Sequence, residues 1–172
     1  MNTALNRIFM SIGLLGIVLS GAVLSAPAQA QALKPEELSQ IKTEVLATVT
    51  HYFTAFNAQN TKEIGEKVFT NPGLAMSATG VAVNTPEQVD KQYAGNLQRL
   101  QEQGWEKSVM GQYDVCVMNA NVAFASGKFT RLRKDGSVLQ AGASTYMLNK
   151  GKDGWRIAML IGTDANKTVT CN

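Results

Sequence analysis

The chain has 172 residues, with 16 basic and 13 acidic side chains and a formal charge of +3 at pH 7. That excess is too small for the broad basic footprint that nucleic acid or an anionic membrane surface requires, so neither is expected as a partner. The length suffices for one domain with a real core, and no repeat, low-complexity tract or linker divides it.

Residues 1–30 have the build of an export signal. Arg7 supplies the positive charge, Ile8 to Leu24 form an apolar run broken only by Ser and Gly, and Ala28-Gln29-Ala30 fits a small-x-small cleavage site. The predicted cut before Gln31 leaves a single domain over 31–172, with 15 basic against 13 acidic residues. The expected location is periplasmic or secreted, with no membrane contact after cleavage. Cys116 and Cys171 would then meet an oxidising space, where two thiols tend to pair. Cys116 lies near the end of a central-looking strand and Cys171 on the tail, so a disulfide is expected, with two free or buried thiols as the alternative.

Pro35 to Ala58 reads as a long amphipathic helix. Leu38, Ile41, Val45, Val49, Tyr52, Phe53 and Phe56 recur in steps of three and four and form one apolar stripe. Pro35 suits a first helical position, and Glu36 and Glu37 suit the positive end of the helix dipole. Asn60 followed by Glu63 resembles a capping box and starts a short helix to about Phe69. Thr70-Asn71-Pro72-Gly73 is turn chemistry, and Leu74 to Val83 reads as a strand or short hairpin bending at Gly80. Thr85-Pro86-Glu87-Gln88 opens a third helix, striped by Val89, Tyr93, Leu97 and Leu100 and stopped by Gly104.

From Trp105 the period becomes two. Four strands are predicted: Trp105 to Met118, Asn121 to Arg133, Val138 to Lys150 and Trp155 to Thr163, joined by short turns as antiparallel hairpins. In the last strand Trp155, Ile157, Met159 and Ile161 are expected on one face and Ala158, Leu160 and Gly162 on the other. Both faces are apolar, so the strand should be central. Gly111, Gly127 and Gly142 would let the sheet bend. The expected class is α+β: a cone-shaped, curved antiparallel sheet packed on the long N-terminal helix and two further helices.

The run Tyr52-Phe53-Thr54-Ala55-Phe56-Asn57-Ala58-Gln59-Asn60, with the element order over 35–165, resembles the nuclear transport factor two-like superfamily, which includes ketosteroid isomerase and the SnoaL-like cyclases. The resemblance implies a cone with a pocket between helices and sheet, often dimeric through the outer sheet face. It also implies where isomerase chemistry would sit. Tyr52 falls at the oxyanion tyrosine, Met76 at the base aspartate and a position near Thr145 at the second aspartate. A thioether cannot accept a proton near neutral pH, and a hydroxyl is a weaker donor than a carboxylic acid.

The remaining residues are weaker pointers. His51 lies off the apolar stripe and reads as solvated. The basic cluster Arg131, Arg133 and Lys134 adjoins the Asp135-Gly136 turn and reads as a solvated strand end. Asp114 and Asp164 are the acids within or beside strands; Asp114 shares a face with Cys116, and Asp164 could reach a pocket mouth. No metal site, phosphate loop or nucleophile elbow is legible, and no cofactor is expected. Val115 and Val117 are expected on the outer sheet face, in an interface if the chain dimerises. Tyr52, Phe56, Met76, Tyr93 and Thr145 are the expected ligand-binding residues. The expected function is therefore an exported domain that binds a small apolar or amphipathic molecule, or dimerises, without catalysis. The alternative is an isomerase, cyclase or dehydratase using Tyr52 with Asp164 or Asp114.

Overall fold

The computed structural model describes residues 32–171. The export signal predicted over 1–30 lies outside the described residues. Helix α1 spans Pro35–Asn57 and buries Ile41, Val45, Val49, Tyr52, Phe53 and Phe56 on one side, as the three-and-four spacing predicts, while Leu38 at the start of the stripe is half-buried and Ala55 is buried in addition. The backbone N–H of Lys34 donates to the Glu37 carboxylate at 2.8 Å and satisfies one of the free donors at its start. The short helix α2, Thr61–Glu63, is capped by Asn60, whose Oδ1 accepts from the Glu63 N–H at 3.2 Å, and it runs on into a π-helical turn, Ile64–Val68. Helix α3, Pro86–Glu102, starts with the expected reciprocal cap between Thr85 and Gln88.

The strands are β1 (Phe69–Ser77), β2 (Gly80–Asn84), β3 (Trp105–Asn119), β4 (Val122–Arg133), β5 (Val138–Gly151) and β6 (Gly154–Thr163). They form one curved, unclosed sheet in the order β2-β1-β6-β5-β4-β3. The α+β class and the cone stand, but the sheet is mixed: β1 pairs with β6 in parallel, and the other pairings are antiparallel. The expected all-antiparallel sheet fails there because β1 and β6 are joined through the rest of the chain and not by a hairpin. Thr70-Asn71-Pro72-Gly73, expected to be a turn, instead lies within β1, where the register against β6 breaks between Phe69 and Leu74. A bulged strand accommodates the same residue types as a turn, and Pro on it lacks only an N–H the break leaves unused.

The inner and outer faces follow from the register. Cys116 stands opposite Phe124, which faces Met147, and Asp114, Ser126 and Thr145 form the next row on the same face. Tyr113, Gly127 and Ser144 form a row on the other face, toward α1, where the Phe53 ring meets Tyr113 and the Tyr52 ring meets Tyr146. Val115 and Val117 belong to this inner face and pack into or against the core, not to the outer surface where they were expected. The expected facing of β6 also changes part-way. A bulge opposite Met147 and Leu148 sets Ile157 beside Leu148 but Met159 beside Met147. Trp155 and Ile157 therefore face the core, whereas Met159 and Ile161 turn outward and Leu160 inward.

The tail after β6 folds back over the outer face. The Lys167 N–H donates to the Asp164 carbonyl, the Val169 N–H donates to Ser126 Oγ at 2.9 Å, and Cys171 is bonded to Cys116 across a Cα–Cα distance of 5.6 Å. Cys116, Ser126 and Thr145 are buried on that face. Among the described residues no helix is long and apolar enough to cross a membrane.

Candidate functional site: an aromatic cavity with one cation

A cavity of about 360 Å³ opens between α1 and the inner face of β4, β5 and β6. Helix α1 supplies Tyr52, Phe53 and Phe56, β4 supplies Phe129 and Arg131, and β5 supplies Gln140, Ser144 and Tyr146. Leu160, Gly162, Thr163 and Ala165 close the side formed by β6 and its exit. The volume lies in the range of sites that enclose small organic molecules.

Glycines make room for this wall. A Cβ on Gly142 would come within 2.4 Å of the Phe129 ring, and one on Gly127 within 2.5 Å of the Tyr113 ring. Each ring sits this close to the neighbouring strand only because no side chain projects from it there. Behind the lining the aromatic packing continues: the Tyr52 ring stands 5.9 Å from that of Tyr93, edge to face, and Tyr113 stacks on Tyr146 at 5.9 Å.

The polar side chains of the cavity are hydroxyls, the Gln140 amide and one guanidinium. Ser144 Oγ links the Tyr113 and Tyr146 hydroxyls at 3.0 Å each. Burial pushes the Tyr52 phenol up to about 12, with the Tyr93 hydroxyl and the Arg131 charge pulling it part-way back. Burial also holds Tyr93 and Tyr146 well above the usual phenol range. All three are neutral O–H groups at physiological pH. The Arg131 guanidinium lies over Phe129 at 5.1 Å and Phe56 at 5.9 Å, and its Nη1 donates to Gln140 Oε1 at 2.6 Å. Its Nε–H is buried and meets no acceptor. Burial lowers its pKa from the ordinary arginine value, while Tyr52, Tyr146 and Tyr93 act in the opposite sense.

Of the residues expected to bind ligand, Tyr52 and Phe56 line the cavity and Tyr93 supports it from behind. Met76 is 38% exposed on the β1–β2 hairpin, outside this lining. Thr145 faces the opposite side of the sheet, where its hydroxyl bonds Ser126 at 2.7 Å beneath the tail. Its neighbour Ser144 occupies the inward position, a difference of one residue that reverses the face. Asp114 is exposed on the outer face, and Asp164 is exposed at the start of the tail with Thr163 and Ala165, not itself, at the cavity. His51 is partly exposed and pairs with Glu63 at 2.8 Å. The described residues hold no cluster of three or more His, Cys, Asp or Glu arranged to bind a metal.

Arg131 is the cavity residue whose surroundings differ from expectation. It was expected to be solvated, but it is half-buried against two aromatic rings. The pattern held a signal: Phe129, Arg131 and Arg133 alternate with outward residues, so an inward Phe129 carries Arg131 inward with it.

Residues 43–165 match the family described as NTF2-like protein (DUF6841). The chain belongs to that family. No curated protein matches it. Among solved structures it is similar to an NTF2-like protein with a cystatin-like fold from Novosphingobium aromaticivorans, with a TM-score of 0.64, 15% identity and coverage of 76% of this chain and 86% of that one. It is also similar to an NTF2-like superfamily protein from Salmonella enterica, at 0.57 and 19%, covering 76% and 94%. A ketosteroid isomerase-like protein from Erwinia carotovora is similar at 0.55 and 21%, covering 78% and 100%. At these identities the likeness establishes the shared NTF2-like cone and not a shared chemistry.

Proposed function

We propose that this NTF2-like domain is an exported binder of one small amphipathic molecule, held in the cone cavity and not chemically altered there. The observation that carries the reading is the lining itself: five aromatic rings, Tyr52, Phe53, Phe56, Phe129 and Tyr146, around about 360 Å³ of space. Rigid rings supply apolar area at little entropic cost, and hydroxyls among them fix an orientation. The catalytic alternative needs a proton acceptor beside Tyr52. The described lining includes no carboxylate, imidazole or thiol, and the two aspartates considered for that role lie on the outer face and on the tail. The disulfide between Cys116 and Cys171 supports an oxidising destination, periplasmic or extracellular.

Native mass spectrometry of protein purified from its own host tests the reading. The expected result is a stoichiometric small-molecule adduct that is lost on unfolding. Repeated absence of an adduct, with a crystal structure in which side chains fill the cavity, would overturn it.

A further inference from the structure

A cation in a half-buried site is stable when an anion or a set of acceptors meets it. Arg131 has neither in full. The ion pairs among the described residues join His51 to Glu63, Lys62 to Glu66, Lys150 to Glu44 and Arg156 to Asp153, and none includes it. Its protein acceptor is the uncharged Gln140, and its Nε–H has no acceptor at all. The rings of Phe56 and Phe129 hold the guanidinium in place and cannot neutralise it. The neighbouring phenols keep their protons, so they too offer donors to whatever enters. A cavity with a fixed cation, phenolic donors and no carboxylate favours an anionic guest.

We infer that the cavity takes a flat carboxylate of single negative charge, an aromatic or short-chain organic acid, whose carboxyl group pairs with Arg131 while its apolar body lies among Tyr52, Phe53, Phe56 and Phe129. This rests on the small-molecule reading above and gives that ligand its charge. The single charge follows from the lining, in which Arg131 is the one cation among the described residues. A phosphate ester would leave part of its charge unmatched, whereas a carboxylate matches the planar guanidinium fork with two parallel hydrogen bonds. Flatness follows from the wall, where the Phe129 ring covers Gly142 and Gly162 leaves bare backbone with open space above it.

Calorimetric titration with three probes of one shape tests this: naphthalene-2-carboxylate, the neutral naphthalene-2-methanol and the cationic naphthalene-2-methylamine. The expected order is carboxylate at least tenfold tighter than alcohol, with no measurable amine binding. In Arg131→Met the carboxylate should lose at least tenfold while the alcohol keeps its affinity. Carboxylate should raise the melting temperature of the unaltered protein and not that of the variant. Equal binding of carboxylate and alcohol would overturn the charge assignment and leave small-molecule binding standing. If none of the three binds at millimolar concentration, the binding reading fails with it. The three-probe comparison on the unaltered protein decides the matter even if the variant does not fold.

Discussion

Two close approaches on the inner face set the cost of change at single residues. Gly127→Ala would drive a methyl group into the Tyr113 ring and to within 2.4 Å of the Gln112 carbonyl oxygen. Overpacking of this kind costs about 1–3 kcal/mol. Urea unfolding should therefore show a lower midpoint with an unchanged slope. Glu44 gives a second, pH-dependent handle. Hydrogen bonds from Lys150, Gln40 and Trp155 lower its carboxyl from 4.5 to about 2. A carboxyl lowered by folding contributes stability that is complete above about 4.5 and is lost as pH falls toward 2. The melting temperature of the unaltered protein should thus fall more steeply across that window than that of Glu44→Gln; parallel curves would refute the coupling. Legibility differed among these residues. Tyr52 and Phe56 declared themselves through helical spacing, because their neighbours on the stripe are all apolar. Arg131 did not, because charge beside a turn reads as solvation until the strand's facing is known. Glu44 also gave no signal, since its partners Lys150 and Trp155 lie more than a hundred residues away in the chain.

The elements were easier to read than their pairing. Each helix carried its own start signal in Asn60, Pro35 or Thr85, and local chemistry of that kind acts within four residues. The bulges in β1 and β6 and the parallel contact between them depend on partners distant in sequence, and period-two alternation does not report them. The tail is the element whose role the pattern hid most, since residues 164–171 carry no periodicity. Its anchor is measurable. The bond from Cys171 to Cys116 spans 55 residues, and removing a bridge of that span costs about 2–4 kcal/mol. Cys171→Ser should lower the melting temperature. It should also speed hydrogen exchange at the Val169 amide, which Ser126 otherwise holds. Unchanged exchange would mean that the tail stays down without its covalent anchor.

For the molecule as a whole, strand order departs from chain order at one decisive place. The meander β3-β4-β5 and the hairpin β1-β2 form from nearby residues, yet β6 alone lies between them. Strand β6 is therefore the mortar of the sheet, and it is made last of all the strands. A chain ending at Lys152 should show no cooperative thermal transition, whereas one ending at Ala165 should keep one at lower temperature; a sharp transition in the first would contradict this. During synthesis the two halves of the sheet must wait, unjoined, for residues 154–163 to emerge. Folding this late leaves the facing edges of β1 and β5 without a partner for most of the chain's production, which is when unpaired strand edges are open to wrong pairing.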